Sequence, residues 1–183
     1  MPTLTVHRAF AFLNDTAFIE DPRSRYMPAA IRGRWKTQRE RTPDEVIKYN
    51  RAFYGKDLQI VGLMHRAGAP LLAGSDTMNP HVYPGFSLHD ELSLLVEAGL
   101  TPIEALKTAT VNPAKFLGRE RELGTVERGK LADLVLLDAN PLENINHTRR
   151  INAVVVNGRY LPKESLQKLL AEAEAAALGV KPR

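Results

Sequence analysis

The sequence contains no cysteine, and that absence removes disulfides, thiolate metal sites and a cysteine nucleophile from consideration. It has no run approaching the ~20 apolar residues that a helical membrane span requires. Residues 1–15 lack a basic segment followed by an apolar core, so no secretory signal is visible and a cytoplasmic location is the expectation. Aromatic residues are sparse at 7%, with a single tryptophan. No internal repeat stands out, and the glycines at 118, 124, 129 and 158 form no phosphate-binding pattern. What remains is the composition of an ordinary globular chain: 183 residues, 44% hydrophobic and 25% charged.

The net charge of +4 is modest and locally concentrated. Arg23, Arg25, Arg32, Arg34, Lys36, Arg39 and Arg41 lie close together, with Tyr26 and Trp35 among them. Basic residues interleaved with aromatics could bind single-stranded nucleic acid. No RNA- or DNA-binding motif accompanies them. A solvated loop and helix face, or a loop that attracts an anionic substrate, is the reading preferred over nucleic acid.

Along the chain, Thr3–Val6 is short and β-prone, and reads as a strand. Residues 14–41 are polar and basic with scattered prolines, and read as a long irregular excursion of the kind that forms lids or binding loops. Thr42-Pro43-Asp44-Glu45 carries the signature of a helix start, with Thr42 as cap and Glu45 completing a capping box. Helical spacing continues through Val46, Ile47, Phe53, Ile60, Val61 and Met64, with a break expected near Gly55 and an end at Gly68. Further helix starts are read at Ser87, at Thr101-Pro102-Ile103-Glu104 with Leu100 as hydrophobic staple, and at Asn112-Pro113. After Gly118 the pattern turns to strands: 124–126, 131–138, and a hairpin of 151–156 and 159–161 about Asn157-Gly158. Pro162 opens a last helix with one apolar stripe.

Residues 70–76, Pro-Leu-Leu-Ala-Gly-Ser-Asp, form an apolar run ending on a carboxylate. A run without polar alternation suits a strand covered on both faces, and α/β folds place their chemistry just past the C-terminal ends of such strands. Asp76 is therefore the candidate metal ligand or general base.

Several segments share a further likeness. They are 71–76, 84–92 (Pro-Gly-Phe-Ser-Leu-His-Asp-Glu-Leu), 98–106 (Ala-Gly-Leu-Thr-Pro-Ile-Glu-Ala-Leu), 109–114 (Ala-Thr-Val-Asn-Pro-Ala), 123–138 (through Gly-Lys-Leu-Ala-Asp-Leu-Val-Leu-Leu-Asp) and 154–159. In this order and spacing the sequence resembles the C-terminal end of the metal-dependent amidohydrolase superfamily, nearest its imidazolonepropionase-like and dipeptidase-like cyclic-amide hydrolases. The resemblance implies an α/β fold: the C-terminal part of a (β/α)8 TIM-type barrel with its last two strands and helices, part of a small β-sandwich, and a C-terminal helix. Thr3–Val6 would be barrel strand seven and Leu71–Ser75 strand eight. The implied divisions are 1–118 for the partial barrel, 119–162 for the sandwich share and 163–183 for the final helix and tail.

By the same resemblance, Asp76 is the carboxylate that binds a divalent metal, with zinc the expected one, and accepts a proton from the attacking water. His81 and Tyr83 follow it and could touch substrate, or could be a loop histidine and a packing tyrosine. His89 and His65 read as structural, and His7 follows the expected strand seven. Asp133 and Asp138 read as structural residues of the sandwich. The superfamily's other ligands are a His-x-His pair, a carboxylated lysine or glutamate, and two more histidines, and this sequence has no His-x-His. A full barrel takes ~250 residues. The implied molecule is thus a fragment that alone binds little or no metal. It would act on a small cyclic amide or dipeptide-like substrate only as part of a longer hydrolase. The alternative is a non-catalytic piece that associates with the missing N-terminal half or with itself through poorly covered apolar faces at Leu4, Val6, Leu71, Leu72, Leu134 and Leu136.

Overall fold

The computed structural model describes residues 1–180. Helices α1 (Leu4–Ala11), α2 (Thr16–Ile19), α3 (Ala29–Arg41), α4 (Asp44–Arg66), α5 (Ser87–Glu97), α6 (Pro102–Ala109) and α7 (Val111–Phe116) precede a small sheet. Strands β1 (Leu134–Leu137), β2 (Ile151–Val156) and β3 (Arg159–Pro162) form it, and α8 (Lys163–Ala177) packs against it. Single 3-10 turns occupy Pro22–Tyr26 and Ile145–Arg149. No helix among the described residues is long and apolar enough to cross a membrane.

The expected strand at Thr3–Val6 is helical instead. Thr-Leu-Thr-Val favours β structure in isolation, but tertiary context overrides so short a preference. Glu91 on α5 supplies that context. Its carboxylate oxygens accept from the backbone amides of Leu4 at 3.0 Å and Thr5 at 2.9 Å, satisfying two otherwise orphaned donors of the first turn of α1. Leu4 and Ala9 then face α4 and α5, so Leu4 is buried rather than poorly covered.

Residues 71–76 are in no helix or strand and pair with no strand among the described residues. Their backbone groups are met otherwise. Ala73 N donates to the Thr108 carbonyl at 2.9 Å, Asn112 Nδ2 donates to the Leu71 carbonyl at 2.8 Å, and Thr5 Oγ1 donates to the Ser75 carbonyl at 3.2 Å. Leu71 is buried, contrary to expectation, in a core shared with Leu4, Val61, Leu92, Leu95 and Leu100. The segment thus runs between α4 and α5 in sequence and under α1, α6 and α7 in space.

The irregular excursion expected over 14–41 is mostly helical. Asp15 caps α2 through Phe18 N, Asp21 caps the following 3-10 turn through Arg23 N, and α3 lays Ile31 and Trp35 into a second cluster with Met27 and Tyr83. Thr42 does not cap α4. It ends α3, its Oγ1 donating to the Gln38 carbonyl at 2.7 Å. Helix α4 passes through Gly55 without a break and closes at Gly68, whose left-handed φ lets Ala69 N reach the Met64 carbonyl. The capping box at Thr101 and Glu104 is present with both reciprocal bonds.

The sheet is antiparallel in the order β1-β2-β3. Asn157 and Gly158 both take positive φ, as a tight two-residue hairpin turn demands, and set Val156 opposite Arg159. Residues 124–126 are not in a strand. No parallel strand pair of a barrel is present among the described residues beyond an isolated bridge at Thr77 and Asn79. The observed three-stranded sheet is a single layer whose Val135 and Leu136 remain exposed.

Candidate functional site

Asp76 ends this segment and is exposed to solvent. Its φ of 48° is left-handed, and the same is true of Met78 and His81, so three non-glycine residues within six positions hold a conformation L side chains adopt rarely. Asn79 stabilises the turn: its Nδ2 donates to both the Asp76 carbonyl and Asp76 Oδ2 at 3.0 Å. Strained backbone of this kind persists where surrounding contacts over-determine it and concentrates in functional loops. Here the contacts are Trp35 Nε1 donating to the Met78 carbonyl at 3.4 Å and the aromatic packing of His81.

An open cleft of about 240 Å³ adjoins this loop, lined by Phe10, by Arg34, Trp35 and Gln38 of α3, and by Met78, Asn79 and Pro80. His81 lies half-buried behind it, against the rings of Trp35 at 5.2 Å and Phe18 at 5.8 Å. Burial holds the His81 imidazole below its usual pKa, opposed by the charge of Asp21. Tyr83 is buried. Its hydroxyl stands 3.4 Å from His81 Nδ1, Trp35 meets its ring edge-on, and Arg23 covers its face at 4.9 Å. Burial first, then the charge of Asp21, pushes the Tyr83 phenol up. Asp76 and His81 are therefore on one loop, while Tyr83 sits beneath it.

Beside that loop is an ionic cluster not anticipated from the sequence. Asp90 reads there as a first-turn helix residue. In the fold it is 4% exposed and accepts from Arg23 Nη1 at 2.8 Å and Arg149 Nη2 at 2.8 Å, with Arg8 Nη2 at 3.2 Å. Burial alone would raise its pKa, but the hydrogen bond from Arg149 and the charges of Arg23 and Arg8 hold it below the usual carboxylate range. Arg23 also grips Asp21 through Nε and Nη2. The partners lie 67 and 59 residues apart in sequence, so no local spacing marks them.

The remaining histidines stand apart from Asp76. His7 Nδ1 meets Asp57 at 2.8 Å, and His65 pairs with Glu104 at 3.2 Å. His89 is half-buried with Nδ1 lacking a partner, and His147 contacts the Asn140 carbonyl. Asp133 accepts from Asn157 N at the hairpin turn and Asp138 accepts from Asn152 and Lys163, so both serve the sheet. Among the described residues no group of three His, Cys, Asp or Glu side chains could hold a metal ion. One exposed carboxylate with an oxygen occupied by Asn79 does not fit a divalent-metal site, which takes three protein ligands when the metal is a hydrolytic zinc.

Comparison with known proteins agrees with this architecture. The amidohydrolase family model matches residues 47–161, a stretch that includes Asp76, His81 and all of the sheet but its last residue, Pro162. An imidazolonepropionase of Geobacillus sp. (strain WCH70) is 40% identical over 101 residues, covering 53% of this chain but 24% of that protein. An ochratoxinase of Aspergillus niger is 37% identical over 91 residues, covering 49% of this chain and 18% of its own length. Among solved structures, bottromycin amidohydrolase superposes with a TM-score of 0.74 at 27% identity, covering 99% of this chain and 40% of that one. Phenylurea hydrolase B gives a TM-score of 0.55 at 26% identity, covering 66% of this chain and 30% of that one. The chain thus spans between 17% and 24% of the length of the curated relatives it matches, and it belongs to the amidohydrolase family.

Proposed function

We infer that the chain contributes one part of a hydrolytic site for carbon–nitrogen bonds other than those of linear peptides, with Asp76 as the group that accepts and returns a proton at the attacking water. The strained loop carries this reading. Asp76, Met78 and His81 are held left-handed, Asp76 is exposed to solvent, and a cleft lies alongside. A carboxylate fixed by its own turn but free on one oxygen is suited to receive a proton from water and deliver it to a leaving amine. Asn79 holds the turn so that Oδ1 stays available, since only Oδ2 accepts from it.

His81, packed against the Trp35 ring that lines the cleft, is the candidate substrate contact. Tyr83 is buried, so its place is behind His81, where its hydroxyl sets the imidazole rather than meeting substrate itself. The substrate class we expect is a small cyclic amide, in keeping with the imidazolonepropionase relatives, or a dipeptide-like amide. A divalent metal, zinc by expectation in the amidohydrolase superfamily, would supply Lewis-acid chemistry at the scissile group if it were bound. The ligands it would need beyond Asp76 have to come from outside these residues, whether from the rest of a longer chain or a separate N-terminal half.

The alternative, a non-catalytic amidohydrolase-like piece, is favoured by the lone carboxylate. The two are separated by assaying cyclic-amide hydrolysis with and without the remainder of an amidohydrolase barrel joined before Met1. Turnover only in the joined protein is expected. Turnover by neither would overturn the hydrolytic role. Turnover by the isolated chain would overturn the claim that its ligand set is incomplete.

A further inference from the structure

Helix α3 meets the core along one narrow edge. Ile31 and Trp35, four residues apart, are buried in the cluster with Met27 and Tyr83. At about 100° per residue, Arg32 and Arg34 flank that edge on opposite sides, and Gln38 continues the Arg34 side one turn on. The Arg34 side borders the cleft of about 240 Å³, together with Phe10 and residues 78–80 of the loop after Asp76.

Of the described residues lining this cleft, Arg34 is the one that carries a charge. Other cations of the same basic stretch are already paired: Arg23 with Asp21 and Asp90, Arg25 with Glu174, Lys36 with Glu40, and Arg39 with Asp44. Arg34 is exposed and has no carboxylate partner among the described residues. Phe10, Met78 and Pro80 give the cleft apolar walls, and a charge beside such walls attracts a counter-ion more strongly than one on an open surface. A guanidinium offers a planar fork of donors that matches a carboxylate with two parallel hydrogen bonds. Asn79 joins the cleft to the reacting group, since it lines the cleft and also donates to Asp76.

Resting on the hydrolytic reading of Asp76, we propose that Arg34 is a specificity-determining residue that selects amides bearing a free carboxylate. The guanidinium takes the carboxylate, an apolar group lies against Phe10 and Met78, and the amide points along Asn79 toward Asp76. The simplest such ligand is an N-acyl derivative of a small apolar amino acid. A volume under the roughly 300–1,000 Å³ of ordinary ligand pockets suits one such residue and no longer chain. Neutral amides of the same shape are bound less well, because they leave Arg34 unpaired.

Trp35 is the only tryptophan in the sequence and lines the same cleft, so its fluorescence reports occupancy without a label. The full chain is titrated with N-acetyl-L-leucine and with N-acetyl-L-leucinamide, which differ only in carboxylate against carboxamide. The carboxylate should bind saturably and about tenfold more tightly, with the gap narrowing as salt is raised. R34E should remove that preference, and R34K should keep part of it, since the charge remains without the fork. R32E changes the charge by the same amount on the other flank of α3 and should bind like the parent. Circular dichroism should be the same for all three variants, because Arg32 and Arg34 are exposed. Equal affinity for the two ligands, a parent-like preference in R34E, an equal loss in R32E and R34E, or no saturable response to either ligand would each overturn the proposal. The titrations involve no turnover, and D76N should bind N-acetyl-L-leucine no more weakly than the parent. Failure of Asp76 as proton acceptor would therefore show in hydrolysis rates and leave the binding preference in place, whereas failure of Arg34 would show in binding alone.

Discussion

Asp90 Oδ1 accepts from Arg149 Nη2 at 2.8 Å across 59 residues of sequence, and this pair fastens helix α5 to the turn that leads into strand β2. The other oxygen of the same carboxylate takes Arg23 and Arg8, which bring the 3-10 turn after α2 and helix α1 to the same point. Four elements from the two ends and the middle of the chain therefore depend on one buried side chain.

Removing that carboxylate leaves Arg8 without its acidic partner and takes one charged contact each from Arg23 and Arg149, which keep Asp21 and Asn146. Breaking a buried ion cluster by deleting one partner costs about 3–5 kcal/mol. D90A should lose that much in urea unfolding, and D90N somewhat less because its amide oxygen can still accept. The linkage has a definite sign. Asp90 is held below the carboxylate range in the fold, so its contribution is complete above the unfolded value of about 3.9 and disappears as pH falls through the lower folded value. Acid titration followed by circular dichroism should show this loss in the parent and not in D90N.

Glu91 behaves in the opposite sense. Burial raises its pKa, opposed by the amide hydrogen bonds from Thr5 and Leu4. Its ionised form is therefore disfavoured by folding, and stability should decline as pH rises from the unfolded carboxylate value through the folded one. E91A should release the first turn of α1, seen as faster amide hydrogen exchange at Leu4 and Thr5. E91Q should do so less, since it keeps one acceptor. Unchanged exchange in E91A would show that α1 is held by packing alone.

Helix α4 crosses the end of α5 at Gly62. A β-carbon built there lies 2.2 Å from the Ala98 carbonyl oxygen, which belongs to backbone and cannot swing aside. G62A should cost about 1–3 kcal/mol through forced separation of the helices. G55A offers the internal contrast. That position has open space around it, and alanine is the better helix former by roughly 1 kcal/mol. Thermal melts of the two variants should move in opposite directions.

The parts of this fold that were legible in the sequence are those fixed by neighbours in the chain. The Thr101–Glu104 capping box, the glycine closures at 68 and 118, and the Asn157-Gly158 hairpin each depend on residues within a few positions of one another. Thr3–Val6 was not legible, because the group that makes it helical is Glu91, 86 to 87 residues away. Thr42 carried a capping signature but spends its hydroxyl on Gln38, within the preceding helix. At the candidate site, Asp76 could be singled out from the apolar run before it. The clustering of Asp90 with three arginines could not, since those contacts have no common spacing. The sequence leaves Tyr83 between a substrate contact and a packing tyrosine, and its ring packs between Trp35 and Arg23.

The hydrolytic role of Asp76 is tested most directly by the rate of C–N bond hydrolysis in a protein that joins these residues to the rest of an amidohydrolase barrel, compared between Asp76 and D76N. Asparagine keeps the size of the side chain and the acceptor oxygen that Asn79 uses, so the melting temperature should stay within a few degrees. Loss of a positioned proton acceptor should lower kcat by about 10²–10⁴-fold. A D76N enzyme with the same melting temperature and activity within a few-fold of its parent would show that Asp76 only shapes the turn, and would contradict the account.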